Sequence, residues 1–206
     1  FSKPHYVENF AQSIFNALRA GGESIDGKTL VVGGDGRYYN REAIQKIIRI
    51  AVGNGFGTIL VAQNGILSTP AASCVIRRQK AFGGIILSAS HNPGGPEGDF
   101  GMKYNISTGS SAPEKITEKI YAESLKLTEY LEAPVPVVDL TKPGMTRWGK
   151  TTIAVFDGLN DYIELMQSLF DFESIRALLK SGFKIKFDAM HAVTGDRKST
   201  CLNSSH

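Results

Sequence analysis

Apolar positions along the chain recur with two different periods. Val7, Phe10, Ile14 and Leu18 fall at helical spacing and are followed by Gly21-Gly22, which predicts an amphipathic helix over Tyr6–Leu18. Thr29–Val32 is a short β-branched and apolar run, the pattern of a strand, and Gly33-Gly34-Asp35-Gly36-Arg37 reads as the loop after it. Asn40 suits an N-cap and Glu42 the positive first turn of a second helix, whose buried face is Ile44, Ile47, Ile48 and Ala51 and whose end is marked by Gly53 and Gly55. Thr58–Ala62 predicts a second strand, and Gln63-Asn64-Gly65 a turn. Thr69 as cap and Pro70 at the first helical position open a third helix to about Gln79, and Gly84–Ser88 predicts a third strand.

This β-α-β-α-β order with short connections demands parallel strands joined by right-handed crossovers. The expected fold class is α/β: a three-layer α/β/α domain with a mixed, mostly parallel sheet, followed by the start of a second similar domain. Gly101–Asn105 is expected to hairpin back as a strand. Pro113 opens a long helix to about Leu131 with Ile116, Ile120, Leu127 and Leu131 inward, its Glu/Lys-rich remainder reading as a solvated face. Ala133–Lys150 carries three prolines and two glycines and reads as a linker, which assigns residues 1–150 to the first domain. A strand at Thr152–Phe156, helices at Asp161–Phe170 and Phe172–Leu179, and a strand at Phe183–Phe187 then begin an incomplete second domain over residues 151–195, too small to bury a core alone. Residues 196–206 are polar and without period, and are expected to be a foreign tail.

Composition changes this picture little. The chain has 206 residues, of which 42% are apolar and 21% charged, and its net charge of +3 is too small to point to nucleic acid as a partner. No run of roughly 18 apolar residues is present, so no membrane partner is expected. Cys74 lies in an apolar segment far from Cys201 and reads as a buried free thiol, consistent with a reducing, cytoplasmic setting. Phe1-Ser2-Lys3-Pro4-His5 has neither an initiator Met nor a signal-peptide pattern, so the chain is expected to be a fragment whose natural start is missing.

The candidate chemistry lies in Ser88–Gly101, where an apolar strand runs into small, polar and turn-forming residues. Four readings compete. Acyl transfer would need G-x-S-x-G, whereas Ser90 sits between Ala89 and His91, and an immediate neighbour is badly placed as its base. A zinc site is poorly supported by His91 alone, but a hard cation held by oxygen, with Asp99 nearby, is chemically different. Phosphate handling fits Ser88, Ser90, Asn92 and the N–H groups around Gly94-Gly95 as an anion nest, with Lys103 as the cation and Ser90 as a phosphoryl carrier. A polar surface loop without chemistry would also fit the glycines and prolines, and the residues by themselves do not decide among the four.

The string Ser88-Ala89-Ser90-His91-Asn92-Pro93-Gly94-Gly95-Pro96 resembles the active-serine loop of the α-D-phosphohexomutases, which usually reads T-A-S-H-N-P-G-G. Val31–Arg37, Gln63–Pro70, Gly98–Asn105 and Phe187–His191 are similar to further segments of the phosphoglucomutase branch of that family, in the same order, so the resemblance covers residues 6 to 195. It implies interconversion of glucose 1-phosphate and glucose 6-phosphate in carbohydrate metabolism. The serine matching Ser90 would carry the phosphoryl group and contact Mg2+, with glucose 1,6-bisphosphate as the intermediate. It also implies that Lys103 is an acid/base or phosphate contact, that His91 positions the phosphate, and that Asn92 joins Ser90, His91 and Lys103 around a sugar phosphate. Asp35 and Arg37 match a shared motif and are expected to brace a loop by an internal ion pair; Asp188 and His191 are expected to be structural.

Ser88 departs from the usual Thr but keeps the hydroxyl. The family's early T-S-G-x-R segment, its D-G-D-x-D-R metal loop and its G-E-E-S-x-G sugar loop do not occur in the chain. The expectation is therefore a phosphoglucomutase whose fragment is inactive alone. The alternatives are a non-catalytic interaction protein of the same family or a phosphohexomutase acting on another sugar. Oligomeric state is not legible.

Overall fold

The computed structural model describes residues 1–189 and 193; Met190, His191, Cys201 and the tail expected at 196–206 lie outside the described residues. The elements run α1 (Tyr6–Ala20), β1 (Thr29–Gly34), α2 (Asn40–Gly53), β2 (Thr58–Ile66), α3 (Thr69–Arg78), β3 (Gly83–Leu87), β4 (Met102–Ile106), α4 (Glu114–Lys126), β5 (Gly144–Trp148), β6 (Thr151–Phe156), α5 (Asn160–Leu169) and α6 (Phe172–Lys180). The strands form one six-stranded sheet in the order β4-β3-β1-β2-β6-β5. The four inner strands are parallel, and β4 and β5 close the two edges antiparallel.

Side-chain alternation divides the inner strands between two cores. Leu30, Val32, Ile59, Val61, Ile85, Leu87, Ile153 and Val155 join one buried cluster with residues of α1 and α2. Val31, Ala62 and Ile86 join the other with Ala71, Ala72, Val75 and Ile76 of α3. This is why these strands read as continuous apolar runs: both faces of a parallel sheet are covered. Cys74, on α3, is buried and free, and burial pushes its thiol pKa up. Among the described residues no helix is long and apolar enough to cross a membrane.

Several local expectations are corrected by tertiary contacts. Ser68, not Thr69, caps α3, its hydroxyl accepting from the Ala71 N–H at 3.4 Å. Asn40 is not a cap: Tyr39 occupies that position, while the buried Asn40 amide donates to the Gly65 carbonyl at 3.2 Å. Gln63-Asn64-Gly65 does not turn the chain. It lies within β2, with Asn64 and Gly65 at φ 56° and 71°, where the register with β1 shifts. The helix expected to reach Leu131 stops at Lys126; Ile120 is buried, but Leu131 is exposed.

The largest correction concerns residues 133–150. The prolines there do not make a linker between domains; residues 133–138 lie along α2 as a strap, and Gly144–Trp148 is β5. The Gln45 side chain donates to the Val138 carbonyl at 2.9 Å and accepts from its N–H at 3.0 Å, and the Ala133 N–H donates to the Arg49 carbonyl at 3.1 Å. Val135, Val138 and Leu140 are buried beneath it. β6 then pairs with β2, Thr58 opposite Thr152, so the boundary drawn at residue 150 falls inside a hairpin of a single sheet. Composition marked a segment with few ladder hydrogen bonds, and side-chain bonds from α2 replace them. Phe183–Phe187 is not a strand, and Phe183, Ile185 and Phe187 are exposed. A strand needs a neighbour for its backbone groups, and none pairs with this segment among the described residues.

Candidate functional site

β1 and β3 are adjacent and parallel, with Gly34 opposite Leu87, so the loops that follow them leave the same end of the sheet side by side. The first loop carries Asp35 and Arg37, and the second runs from Ser88 to Gly101. Crevices at the carboxyl ends of parallel strands are where such sheets bind ligands.

The second loop is closed at its base by the Ser88 N–H donating to the Gly101 carbonyl at 2.9 Å. A glycine is required at 101 because a Cβ there would lie 2.5 Å from the Ser88 carbonyl oxygen. Inside the loop, the Ser90 N–H donates to Ser88 Oγ at 3.1 Å, the Asn92 N–H to the Ala89 carbonyl at 3.1 Å and the Asp99 N–H to the Pro93 carbonyl at 2.8 Å. Asn92 Nδ2 donates to Asp99 Oδ2 at 2.8 Å. The loop is thus an internally bonded unit despite its exposure.

Ser90 is exposed and holds φ 58°, a left-handed backbone that a non-glycine residue adopts at some cost. His91 is exposed beside it, its Nδ1 3.5 Å from Ser90 Oγ, at the long limit of a hydrogen bond. Lys103, on β4 opposite Ile86, is exposed just past the returning end of the loop. Asn92 is exposed in the same loop, one N–H of its side-chain amide given to Asp99. No carboxylate bonds to His91 among the described residues, so the base–orienter pair that acyl transfer needs is missing. What remains is an exposed hydroxyl with an imidazole beside it and a lysine on the strand to which the loop returns, residue types suited to carrying and contacting a phosphoryl group.

On the neighbouring loop, Arg37 meets Asp35 in the expected ion pair, Nη2 to Oδ2 at 2.9 Å with Nε 3.1 Å from both oxygens. Its further reach was not legible in the sequence. Nη1 donates to the carbonyls of Asn92 (3.2 Å) and Asp99 (2.7 Å), and Nη2 to that of Ser90 (3.1 Å). No local pattern announces those bonds; they depend on β1 lying next to β3.

Mg2+ was the implied cofactor, and this chain's residues do not fit it by themselves. Mg2+ takes about six oxygen ligands. No group of three His, Cys, Asp or Glu residues able to hold a metal occurs among the described residues. The loop carries two carboxylates, Glu97 and Asp99, and Asp99 accepts a hydrogen bond from the Asn92 amide.

Comparison with known proteins agrees with this geometry. Residues 1–131 match the family described as phosphoglucomutase/phosphomannomutase, alpha/beta/alpha domain I. The chain is 57% identical over 195 residues to the phosphoglucomutase of Rhizobium radiobacter, covering 95% of this chain and 35% of that protein. It is 55% identical over 196 residues to a chloroplastic phosphoglucomutase of Brassica napus, covering 95% and 31%. It is 52% identical over 206 residues to a cytoplasmic phosphoglucomutase of Populus tremula, covering 95% and 35%. The solved open form of the Paramecium exocytosis-sensitive phosphoprotein parafusin, a phosphoglucomutase, superposes with a TM-score of 0.91 at 42% identity over 98% of this chain and 38% of its own. The chain therefore spans about a third of the length of the curated relatives it matches. With the sheet, the serine loop and these matches in agreement, the chain belongs to the phosphoglucomutase/phosphomannomutase family, its residues 1–131 matching the α/β/α domain I.

Proposed function

We propose that this chain is the serine-bearing part of a phosphoglucomutase that interconverts glucose 1-phosphate and glucose 6-phosphate. Ser90 carries the phosphoryl group. In one half-reaction the bond between Ser90 Oγ and phosphorus breaks while a sugar hydroxyl oxygen loses its proton and bonds to phosphorus, giving glucose 1,6-bisphosphate and returning a proton to Ser90 Oγ. After the sugar turns over, Ser90 Oγ takes the other phosphoryl group back. Lys103 and His91 contact the phosphate, and Asn92 serves by holding Asp99 and hence the loop. Mg2+, when bound, neutralises phosphate charge. Ser90 is the ligand this chain offers, and the carboxylates belong to the remaining two thirds of the protein. The chain alone is inactive on this reading. Its relatives include cytoplasmic and chloroplastic forms, and the cytoplasm is the compartment we assign.

The observation that carries this reading is the exposed, left-handed Ser90 within a bonded S-A-S-H-N-P-G-G loop, in a chain 57% identical to a phosphoglucomutase. The test is to join this chain to the remaining length of the Rhizobium radiobacter relative. Glucose 1-phosphate conversion with Mg2+ and glucose 1,6-bisphosphate is measured, together with phosphate on the Ser90 peptide by mass spectrometry. Turnover is expected, falling by about 1,000-fold or more in Ser90→Ala. A folded joined protein with no phosphate on Ser90 overturns the reading and favours a non-catalytic interaction protein. Turnover of mannose 1-phosphate in preference to glucose 1-phosphate favours the other-sugar alternative.

A further inference from the structure

We propose that Arg37 is a positioning residue: its guanidinium holds the Ser90 loop from the neighbouring strand end and keeps Ser90 in the left-handed backbone that presents its hydroxyl. The proposal rests on the reading of Ser90 as the phosphoryl carrier, and it goes beyond the ion pair with Asp35.

Ser90 at φ 58° has no side-chain bond that would explain this conformation. Its Oγ has only the 3.5 Å approach to His91, and its N–H meets Ser88 Oγ. A left-handed non-glycine residue persists where its surroundings over-determine it. Arg37 supplies that. A guanidinium has five N–H donors. Here Nε serves Asp35; the two hydrogens of Nη1 serve Asn92 and Asp99; those of Nη2 serve Asp35 and Ser90. The three carbonyls span the loop from its nucleophile to its return. The Arg37 side chain is only 8% exposed, although the loop residues it holds are themselves exposed.

Two consequences separate Arg37 from an ordinary phosphate-binding arginine. Every donor is already committed, so contact with a phosphate would cost a loop bond. The adjacent Asp35 carboxylate also neutralises its charge. Arg37 therefore acts through the loop, while Lys103 and His91 remain the groups that meet the phosphate. A lysine cannot replace it, because one ammonium cannot reproduce a planar fork aimed at three carbonyls and a carboxylate.

The experiment uses the chain itself and needs no turnover. Amide hydrogen exchange and backbone NMR are compared in the parent chain, Arg37→Lys and Asp35→Asn. In Arg37→Lys, exchange of the Asn92 and Asp99 amides is expected to accelerate about 10-fold or more. The Ser90 chemical shifts and N–H/Hα coupling should leave their left-handed values, while Val31 and Ile85 amides of β1 and β3 stay protected. Asp35→Asn keeps the fork but weakens its anchor, and should show a smaller acceleration at the same amides. Loop exchange within twofold of the parent in Arg37→Lys, with Ser90 unshifted, overturns the proposal. So does loss of protection in β1 and β3 along with the loop, since that makes Arg37 a residue of general stability. Absence of phosphate on Ser90 in the joined protein would sink the catalytic reading yet leave these loop measurements untouched.

Discussion

The β3–β4 and β5–β6 hairpins lie at opposite edges of one sheet, and each joins an inner strand to an antiparallel edge strand. β5 and β6 are connected by Gly149-Lys150 alone, and β5 is exposed along most of its length. β3 and β4 are connected by all of Ser88–Gly101, and Met102 and Tyr104 of β4 are buried. Each connection contains a residue with nearly the same unusual backbone angle: Gly149 at φ 57° and Ser90 at φ 58°. At the short turn, glycine adopts the angle without a Cβ clash, and nothing else is needed. At the long loop a hydroxyl is present, so glycine cannot serve, and contacts from another strand end hold the angle. The same local geometry is thus reached by composition at one edge and by tertiary structure at the other.

Four substitutions sharpen or break this contrast. Gly101→Ala forces a Cβ to 2.5 Å from the Ser88 carbonyl oxygen, a backbone atom that cannot swing away, and should destabilise the chain by about 3 kcal/mol in urea titration. A change below roughly 1 kcal/mol would mean the two loop ends separate freely. Gly149→Ala meets no atom within 4 Å and bears only the backbone strain of φ +57°, so about 1 kcal/mol is expected from the same titration. Equal costs at the two glycines would erase the distinction between the hairpins.

Ser90→Gly runs the other way. Removing the Cβ from a left-handed position should raise stability by about 0.5 kcal/mol while abolishing phosphate carriage in the joined protein. A loss of stability would show that Ser90 is not strained. The remaining test is a pH dependence at Tyr104 on β4. Burial pushes its phenol pKa up, so the folded chain keeps this proton where the unfolded chain releases it. Stability is intact below about pH 10, the unfolded phenol's value, and falls as pH rises above it. Tyr104→Phe should flatten that fall between urea midpoints taken at about pH 9 and about pH 11. An unchanged slope would assign alkaline loss to other groups.

Most of the helices and strands were legible because each has a periodic apolar face. Ile44, Ile47 and Ile48 marked α2, and Val31 and Val32 marked β1, before any contact was known. The serine loop was legible as a motif and as a break in hydrophobicity after Leu87. What misled were signals whose meaning depends on a distant partner. The prolines of 133–150 suggested a linker because nothing in the sequence says that Gln45 will bond both polar groups of Val138. Asn64-Gly65 suggested a turn because the positive φ it favours also serves a shift in register. Phe183–Phe187 has strand composition, but a strand forms only against a neighbour. At the site, Ser90, His91 and Lys103 are the candidate residues that the sequence offers, and their roles stay proposals. The bond from the Asn92 amide to Asp99 was not legible either. The reach of Arg37 went unseen, since its partners are carbonyls that carry no residue-type signature.

The sequence by itself determined the α/β class, the apolar faces, the identity of the exposed serine and the family resemblance, because these depend on local order and residue type. Only the tertiary structure decided that β6 extends the first sheet, that the proline-rich segment is a strap, and that β1 lies beside β3 so that Arg37 reaches the Ser90 loop. The physical reason is that hydrogen bonds to backbone carbonyls and strand pairings are available to almost any residue. Which ones form is set by what the packed layers bring within about 3 Å, and a linear pattern does not record that distance.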